Sequence, residues 1–265
     1  MRLAWATDIH LNFLSPSQLE DFTWKVASAE PDAVLLTGDI AEAPTVEDYL
    51  VGLADQIKRP VYFVLGNHDF YRGSIASVRE QMTALSRRHP WLRWLNDAGI
   101  VELTPTTALV GHDGWADGRL GNGMATPVLL NDFFHIQELT GLATDERFRR
   151  LAALGDEAAA HFRRVLPEAF ARFREVLLLT HVPPFREACW HEGRVSDDDW
   201  LPLFASQAPG DALREIMSAR PDHTLGVFCG HTHGEGYVEI LPNLKVWTGG
   251  AHYGRPELQP EIVVV

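Results

Sequence analysis

Eight side chains that could offer oxygen or nitrogen to a metal or a phosphate stand where apolar runs of the sequence stop: Asp8, His10, Asp39, Asn67, His68, His181, His231 and His233. The set holds carboxylates, a carboxamide and imidazoles, and no thiolate. Divalent ions of intermediate hardness such as Mn, Fe, Zn, Co or Ni suit that mixture, whereas Ca and Mg seldom recruit several histidines. A lone histidine after a strand is ordinarily a polar loop cap, but the joint pattern favours metal. Asp8 and His10 flank Ile9, so in an extended or gently turning backbone both face the same way. In Gly66-Asn67-His68-Asp69 three polar groups directly follow a glycine, a residue that lets the chain turn sharply.

These residues need strands that end at one edge. Leu3 to Thr7, Ala33 to Thr37 and Val61 to Leu65 read as buried strands that lead into Asp8, Asp39 and Asn67. Ser17-Gln18-Leu19-Glu20 reads as a capping box for an amphipathic helix to about Ala29, and Thr45 as the cap of a helix to about Ile57. Ser74 to Ser86 is helical by the spacing of Ile75, Val78, Met82 and Leu85. The alternation of strand and helix predicts right-handed crossovers and a parallel sheet, with its loops gathered at the carboxyl edge where open α/β folds bind ligands.

Ile100 to Leu103 and Ala108 to Val110 suggest a hairpin, followed by a glycine-rich stretch to Asn131 and a short helix from Asp132 to Leu139. Thr144 caps a long helix expected to break near Pro167. Val176 to Thr180 and Leu225 to Cys229 are strands that deliver His181 and Gly230-His231-Thr232-His233, with two short helices between them. Gly236 to Ile240, Leu244 to Thr248 and Glu261 to Val265 close the chain as strands. The expectation is one domain over 1–265, with an excursion at 111–150 placed to shape a substrate.

The 265 residues are 46% hydrophobic and 22% charged, the balance of a globular chain able to bury a large core. With 23 Lys plus Arg against 36 Asp plus Glu, the net charge of −13 argues against a general nucleic-acid or anionic-membrane surface. No run reaches membrane-spanning length, and the apolar start is too short for a secretion signal. Cys189 and Cys229 fall in different elements and suggest a reducing compartment, so a cytoplasmic location is expected. Nothing in the sequence bears on oligomeric state.

Taken in order, Asp8-Ile9-His10, Gly38-Asp39, Gly66-Asn67-His68-Asp69, Thr180-His181 and Gly230-His231-Thr232-His233 resemble the five blocks of the calcineurin-like metallophosphoesterase family, in its compact single-domain bacterial type. The resemblance spans residues 8 to 233 and implies an α/β fold, a four-layer α/β/β/α sandwich of two mixed sheets. It implies two divalent or trivalent transition-metal ions, Mn, Fe or Zn foremost, bridged by Asp39. Asp8, His10 and His233 would complete the protein ligands of one ion, and Asn67, His181 and His231 those of the other. A metal-bridging hydroxide would attack phosphorus in line across ions ~3.5–4 Å apart. His68 would not be a ligand but would stabilise the transition state or protonate the leaving oxygen. Glu42 stands where protein-phosphatase relatives carry an acid that orients this histidine, and Asp69 competes for that role. Two ions against two carboxylates and a hydroxide leave positive charge for a phosphate.

The chain departs from those phosphatases at Gly38-Asp39-Ile40-Ala41-Glu42, where they carry Asp-Arg-Gly, which speaks against a protein serine/threonine phosphatase. The activity expected is hydrolysis of a small phosphodiester or phosphomonoester, leaning to diesters through resemblance to compact bacterial phosphodiesterases. One rival is a catalytically silent interaction scaffold of this fold, although every ligand position here is filled. Another is a metal-dependent nuclease, which would need a basic groove or a second domain. Tyr71 and Arg72 are candidates for touching phosphate. Trp115 and Arg119, with Phe133, Phe134 and His135, either shape a substrate lid or anchor the loop, and anchoring is expected because aromatics usually pack. His252 and the remaining histidines read as structural, and Asp197-Asp198-Asp199 as a solvated helix start.

Overall fold

A computed structural model describes residues 1–264. In chain order it contains β1 (Arg2–Ala6), α1 (Pro16–Ser28), β2 (Ala33–Thr37), α2 (Val46–Ile57), β3 (Val61–Val64), α3 (Ile75–Arg88), β4 (Leu92–Trp94), α4 (Leu95–Ala98), β5 (Val101–Glu102) and β6 (Thr107–Gly111). There follow α5 (Asp132–His135), α6 (Thr144–Phe170), β7 (Glu175–Leu179), β8 (Trp190–His191), β9 (Arg194–Val195), α7 (Leu201–Phe204), α8 (Gln207–Ser218), β10 (Thr224–Cys229), β11 (Gly236–Leu241), β12 (Leu244–Thr248) and β13 (Ile262–Val263).

One of the two large sheets has the order β13-β1-β2-β3-β4 and the other β11-β12-β10-β7-β6-β5, while β8 and β9 pair apart from both. The strands from β1 to β4 run parallel, as do β12, β10, β7 and β6, while β13, β11 and β5 are antiparallel at edges. Both sheets are thus mixed, as the family resemblance implies, and the parallel order expected from the alternation of strand and helix holds for β1 to β4.

Alternation along each strand builds the layers, since successive side chains point to opposite faces. Leu3 and Trp5 of β1 and Ala33 and Leu35 of β2 join Leu109, Leu177, Leu179 and Phe228 in the core between the sheets. Their neighbours Ala4, Ala6, Val34 and Leu36 face the other way, onto Phe22, Leu50, Val78 and Met82 from α1, α2 and α3. Val110, Leu178 and Val227 meet Phe162, Leu166, Leu213 and Met217 from α6 and α8. The order is helices, sheet, sheet, helices. Strands buried on both faces explain why their sequences are unbroken apolar runs.

The structure moves some boundaries. The capping box that opens α1 is Ser15 with Gln18, two residues early, because Pro16 fits the first helical turn, where its missing N–H is no loss. Pro167 does not break α6. It costs one hydrogen bond in the last turn, while Leu166, Ala169 and Phe170 go on burying the apolar face. The long helix begins after Ala143, with no side-chain cap from Thr144. The helix at Asp132 lasts one turn rather than reaching Leu139. Of the strand expected over Glu261 to Val265, β13 keeps Ile262–Val263, and Val265 lies outside the described residues. Among the described residues no helix is long and apolar enough to cross a membrane.

Candidate metal centre

The strand ends of both sheets meet at one edge. Past β1, the amides of Asp8, His10 and Leu11 donate to the carbonyls of Gly38, Asp39 and Ile40 at 3.0, 2.9 and 2.8 Å, so the first loop follows the second. The His68 amide donates to Asp39 Oδ1 at 2.9 Å, and the His231 amide to Asp8 Oδ1 at 3.0 Å, joining the two sheets. The glycines earn their places mainly by room. A Cβ on Gly66 would strike the Asp39 carboxylate, and one on Gly230 would strike Thr7 and Asp8. The sharp-turn role expected of Gly66 belongs instead to Gly38, at φ +93°.

Five of the eight donor residues are non-glycine residues in the left-handed region: Asp8, His10, Asp39, His231 and His233, with φ of 49, 40, 51, 72 and 58°. Each such residue costs ~1–2 kcal/mol, and strain of that kind concentrates at functional sites.

The donor atoms fall into two groups that share Asp39. In the first, one atom from each of Asp8, His10, Asp39 and His233 lies within 4.8 Å of all the others. His10 Nε2 is 3.3 Å from His233 Nε2 and 3.7 Å from Asp39 Oδ2, and His233 Nε2 is 3.4 Å from Asp8 Oδ1. In the second, Asn67 Oδ1 is 3.2 Å from His181 Nε2 and 3.0 Å from His231 Nδ1, and His181 Nε2 is 3.4 Å from Asp39 Oδ1.

Hydrogen bonds behind these atoms fix which way they face. His181 Nδ1 donates to the Thr37 carbonyl at 2.8 Å, and His231 Nε2 to the Leu203 carbonyl at 2.9 Å. Asn67 Nδ2 donates to Asp132 Oδ1 at 2.8 Å, which turns Asn67 Oδ1 toward the two imidazoles. His231 Nδ1 and Asn67 Oδ1 are therefore two acceptors facing each other, an arrangement that calls for positive charge between them.

Charge points the same way. Burial works against an ionised Asp8, yet contact with His233 and the nearby His181 and His10 hold its carboxyl well below the usual range. Asp39 is likewise lowered, burial being outweighed by His181, His68 and His10. Burial pushes His10 and His231 down to about 4, so both present neutral rings at pH 7. His181 and His233 are raised: burial opposes this, but the carboxylates of Asp39 and Asp8 attract a positive charge. Both aspartates are almost fully buried, and among the described residues only imidazoles pair with them. Lone pairs aimed inward and buried anions without Lys or Arg fit transition-metal cations at both groups.

His68 stands beside the cluster with Nε2 4.0 Å from Asp39 Oδ2 and its ring stacked on Tyr71 at 4.2 Å. Neither acid expected to orient it does so in this structure. Glu42 pairs with Arg72. Asp69 accepts the amides of Ile40, Ala41 and Gly66 at 2.9, 2.8 and 2.8 Å, bracing the loops after β2 and β3. Its carboxyl is pushed up to about 8 by burial and by Asp39, with the Ala41 and Gly66 amides pulling the other way.

Tyr71 lines a cleft of about 250 Å³ over the donors, and Arg72 an adjoining one. Trp115 and Arg119 are not brought there: Trp115 is buried against Phe70, and Arg119 bonds Asp117 and Asp156. Of the excursion, Leu130, Asn131 and Asp132 line the cleft. Sequence reasoning passed over Asp132, read only as a helix start, and Tyr253, whose ring lies 4.5 Å from that of His10 and 4.9 Å from that of His233. Tyr253 lies in a coil with no periodic signal. Residues 1–235 match the family model for calcineurin-like phosphoesterases. Curated protein sequences yield no match. Among solved structures, a phosphopantetheinyl hydrolase from Mycobacterium tuberculosis aligns with a TM-score of 0.63 at 14% identity, over 97% of this chain and 95% of its own. A dimetal phosphatase from Danio rerio aligns at 0.57 and 14% identity, over 94% and 87%. At such identity these likenesses show a shared fold.

Proposed function

The chain belongs to the calcineurin-like phosphoesterase family, and we propose that it hydrolyses a small phosphodiester with the aid of two transition-metal ions. The observation that carries this reading is the facing pair of acceptors, His231 Nδ1 and Asn67 Oδ1 at 3.0 Å, beside the buried Asp39. Asp8, His10 and His233 would hold one ion, Asn67, His181 and His231 the other, and Asp39 both. Bound there, such ions supply Lewis acidity toward phosphoryl oxygens and a water-derived nucleophile at neutral pH.

The chain's own residues supply the rest. Asp132, His181 and His231 hold the donor atoms in orientation through the bonds given above. His68 lines the cleft without being enclosed by the donor groups, so its Nε2 is free to pass a proton to the leaving oxygen, a role that contributes ~10²–10⁴ in rate. The diester preference rests on charge. Among the described residues none lining the cleft is Lys or Arg, and Arg72 in the adjoining cleft is engaged by Glu42. A monoester dianion would find no side-chain cation, whereas a diester carries a single charge.

The test is hydrolysis of bis-p-nitrophenyl phosphate against p-nitrophenyl phosphate by metal-stripped protein reloaded with Mn, Fe, Zn, Co or Ni. Activity that returns with metal and favours the diester is expected. A monoester preference would overturn the diester assignment, and protein holding two ions yet inert toward both would overturn the enzymatic one.

A further inference from the structure

Among the described residues nine large hydrophobic side chains are exposed, and three of them lie about the mouth of the metal cleft. Phe13 is 51% exposed, Tyr253 56% and Trp200 41%. The rings of Phe13 and Tyr253 meet edge to face at 5.4 Å, and Tyr253 reaches over His10 and His233. On the opposite rim Trp200 packs on Phe204 at 4.9 Å, and Phe204 touches the His231 ring at 5.3 Å. Leu130 lines the same cleft from the excursion. An exposed apolar patch continuous with a polar centre marks a ligand surface more often than a stray exposure does.

Resting on the phosphodiesterase reading, we propose that the ester's second substituent is an apolar group, aromatic or aliphatic, seated on this rim of Phe13, Leu130, Trp200, Phe204 and Tyr253. The phosphoryl group is drawn to the donor cluster, the five rim residues are themselves uncharged, and Arg72 and Glu42, which share the adjoining cleft with Phe13, are paired with each other. A sugar or a second phosphate would leave its polar groups against hydrocarbon; an aryl or alkyl group removes from water surface on both sides. The site then recognises an amphiphilic monoanion, charged at one end and apolar at the other.

The experiment uses full-length protein reloaded with metal and a set of p-nitrophenyl phosphodiesters whose second ester is methyl, butyl, hexyl or phenyl, kept below aggregation. The expected result is a kcat/KM that rises about two- to fourfold for each methylene. A gain confined to phenyl would mark an aromatic substituent, and one growing along the alkyl set an aliphatic one. Phe13→Ser and Trp200→Ser should each flatten the dependence, and since both residues are exposed the fold should survive. Hydrolysis of the methyl ester with no dependence on the second substituent would overturn this inference and leave the phosphodiesterase reading standing. Failure to cleave any member, by protein holding two ions, would overturn both.

Discussion

Replacing Asp132 should weaken one metal position and spare the other. Its carboxylate accepts from Asn67 Nδ2 at 2.8 Å and from the Tyr71 hydroxyl at 2.7 Å, in a fully buried setting. Without it only the longer bond from Asn67 Nδ2 to the Tyr71 hydroxyl, at 3.3 Å, would resist a turn of the Asn67 amide, after which Nδ2 would donate to the lone pairs of His181 and His231 and close the second donor group with its own hydrogens. A hydrogen bond to a charged partner contributes ~1.5–3 kcal/mol. At 1.4 kcal/mol per tenfold, Asp132→Ala should weaken one of two ions by ~10- to 150-fold. Asp132 is itself held in place, since the Arg72 amide donates to the His135 carbonyl at 2.8 Å and the Gln137 amide to the Gly73 carbonyl at 3.1 Å. Asp132→Asn keeps a carbonyl oxygen toward both donors and should stay within ~3-fold of the native chain. The assay is calorimetric titration of stripped protein with Mn(II), with metal content measured after gel filtration and melting curves of the stripped variants as a check on folding. An Asp132→Ala chain that binds two ions with native affinities would refute this reasoning.

Four further outcomes are expected. His68→Ala should keep both ions and lose ~10²–10⁴ in kcat, and loss of an ion on metal analysis would contradict its place outside the donor groups. Asp113→Ala should cost ~3 kcal/mol in urea unfolding, because the Leu65 amide, Trp94 Nε1 and Asn96 Nδ2 donate to that buried carboxylate at 2.8, 2.9 and 2.9 Å; a loss below ~1 kcal/mol would show that the loops do not depend on it. Burial, with His112 and Arg164 nearby, pushes His161 down to about 4 from 6.5, so between those values the unfolded chain binds the extra proton and stability should rise as pH rises, and be lost as pH falls, by up to ~1.4 kcal/mol per unit. His161→Leu should remove that slope, and an unchanged slope would reject the assignment. Metal-stripped protein should melt below reloaded protein, by the ~2.7 kcal/mol per site expected at a hundredfold excess over Kd, and coincident melting curves would mean that the donor groups bind no metal.

The sequence discloses the parts of this molecule that repeat a physical rule over several residues. Strands buried on both faces, such as Ala33–Thr37 and Glu175–Leu179, are legible as apolar runs, and their polar ends mark the site. The strand Leu92–Trp94 is too short to show alternation, and the pair Trp190–His191 and Arg194–Val195 owes its pairing to a turn at Gly193. Contacts that depend on where loops return are hidden from periodicity altogether. Asp132 lies 65 residues from Asn67 in sequence and Tyr253 reaches His10 from the far end of the chain. Trp115 and Arg119 stood out for their residue types, but burial and neighbouring acids decide their roles, and both are properties of the folded chain.

The same geometry explains why so many costly features sit together. Left-handed aspartates and histidines, buried carboxylates and facing acceptors each oppose folding when taken singly, and rigid surroundings are needed to keep them. Asp69 supplies part of that frame by taking three backbone amides, and Asp113 another part by tying the end of β3 to β4 and to the Asn96 turn. Neither residue points a free oxygen at the donor groups, although Asp69 is an aspartate within the motifs. Their value is that the loops bearing Asp39 and Asn67 cannot relax toward geometries in which the repelling atoms separate. A centre held open in this way keeps its affinity for positive charge because the alternatives that would satisfy it from within, a turned amide or a rotated imidazole, are blocked by bonds on the far side of each ligand.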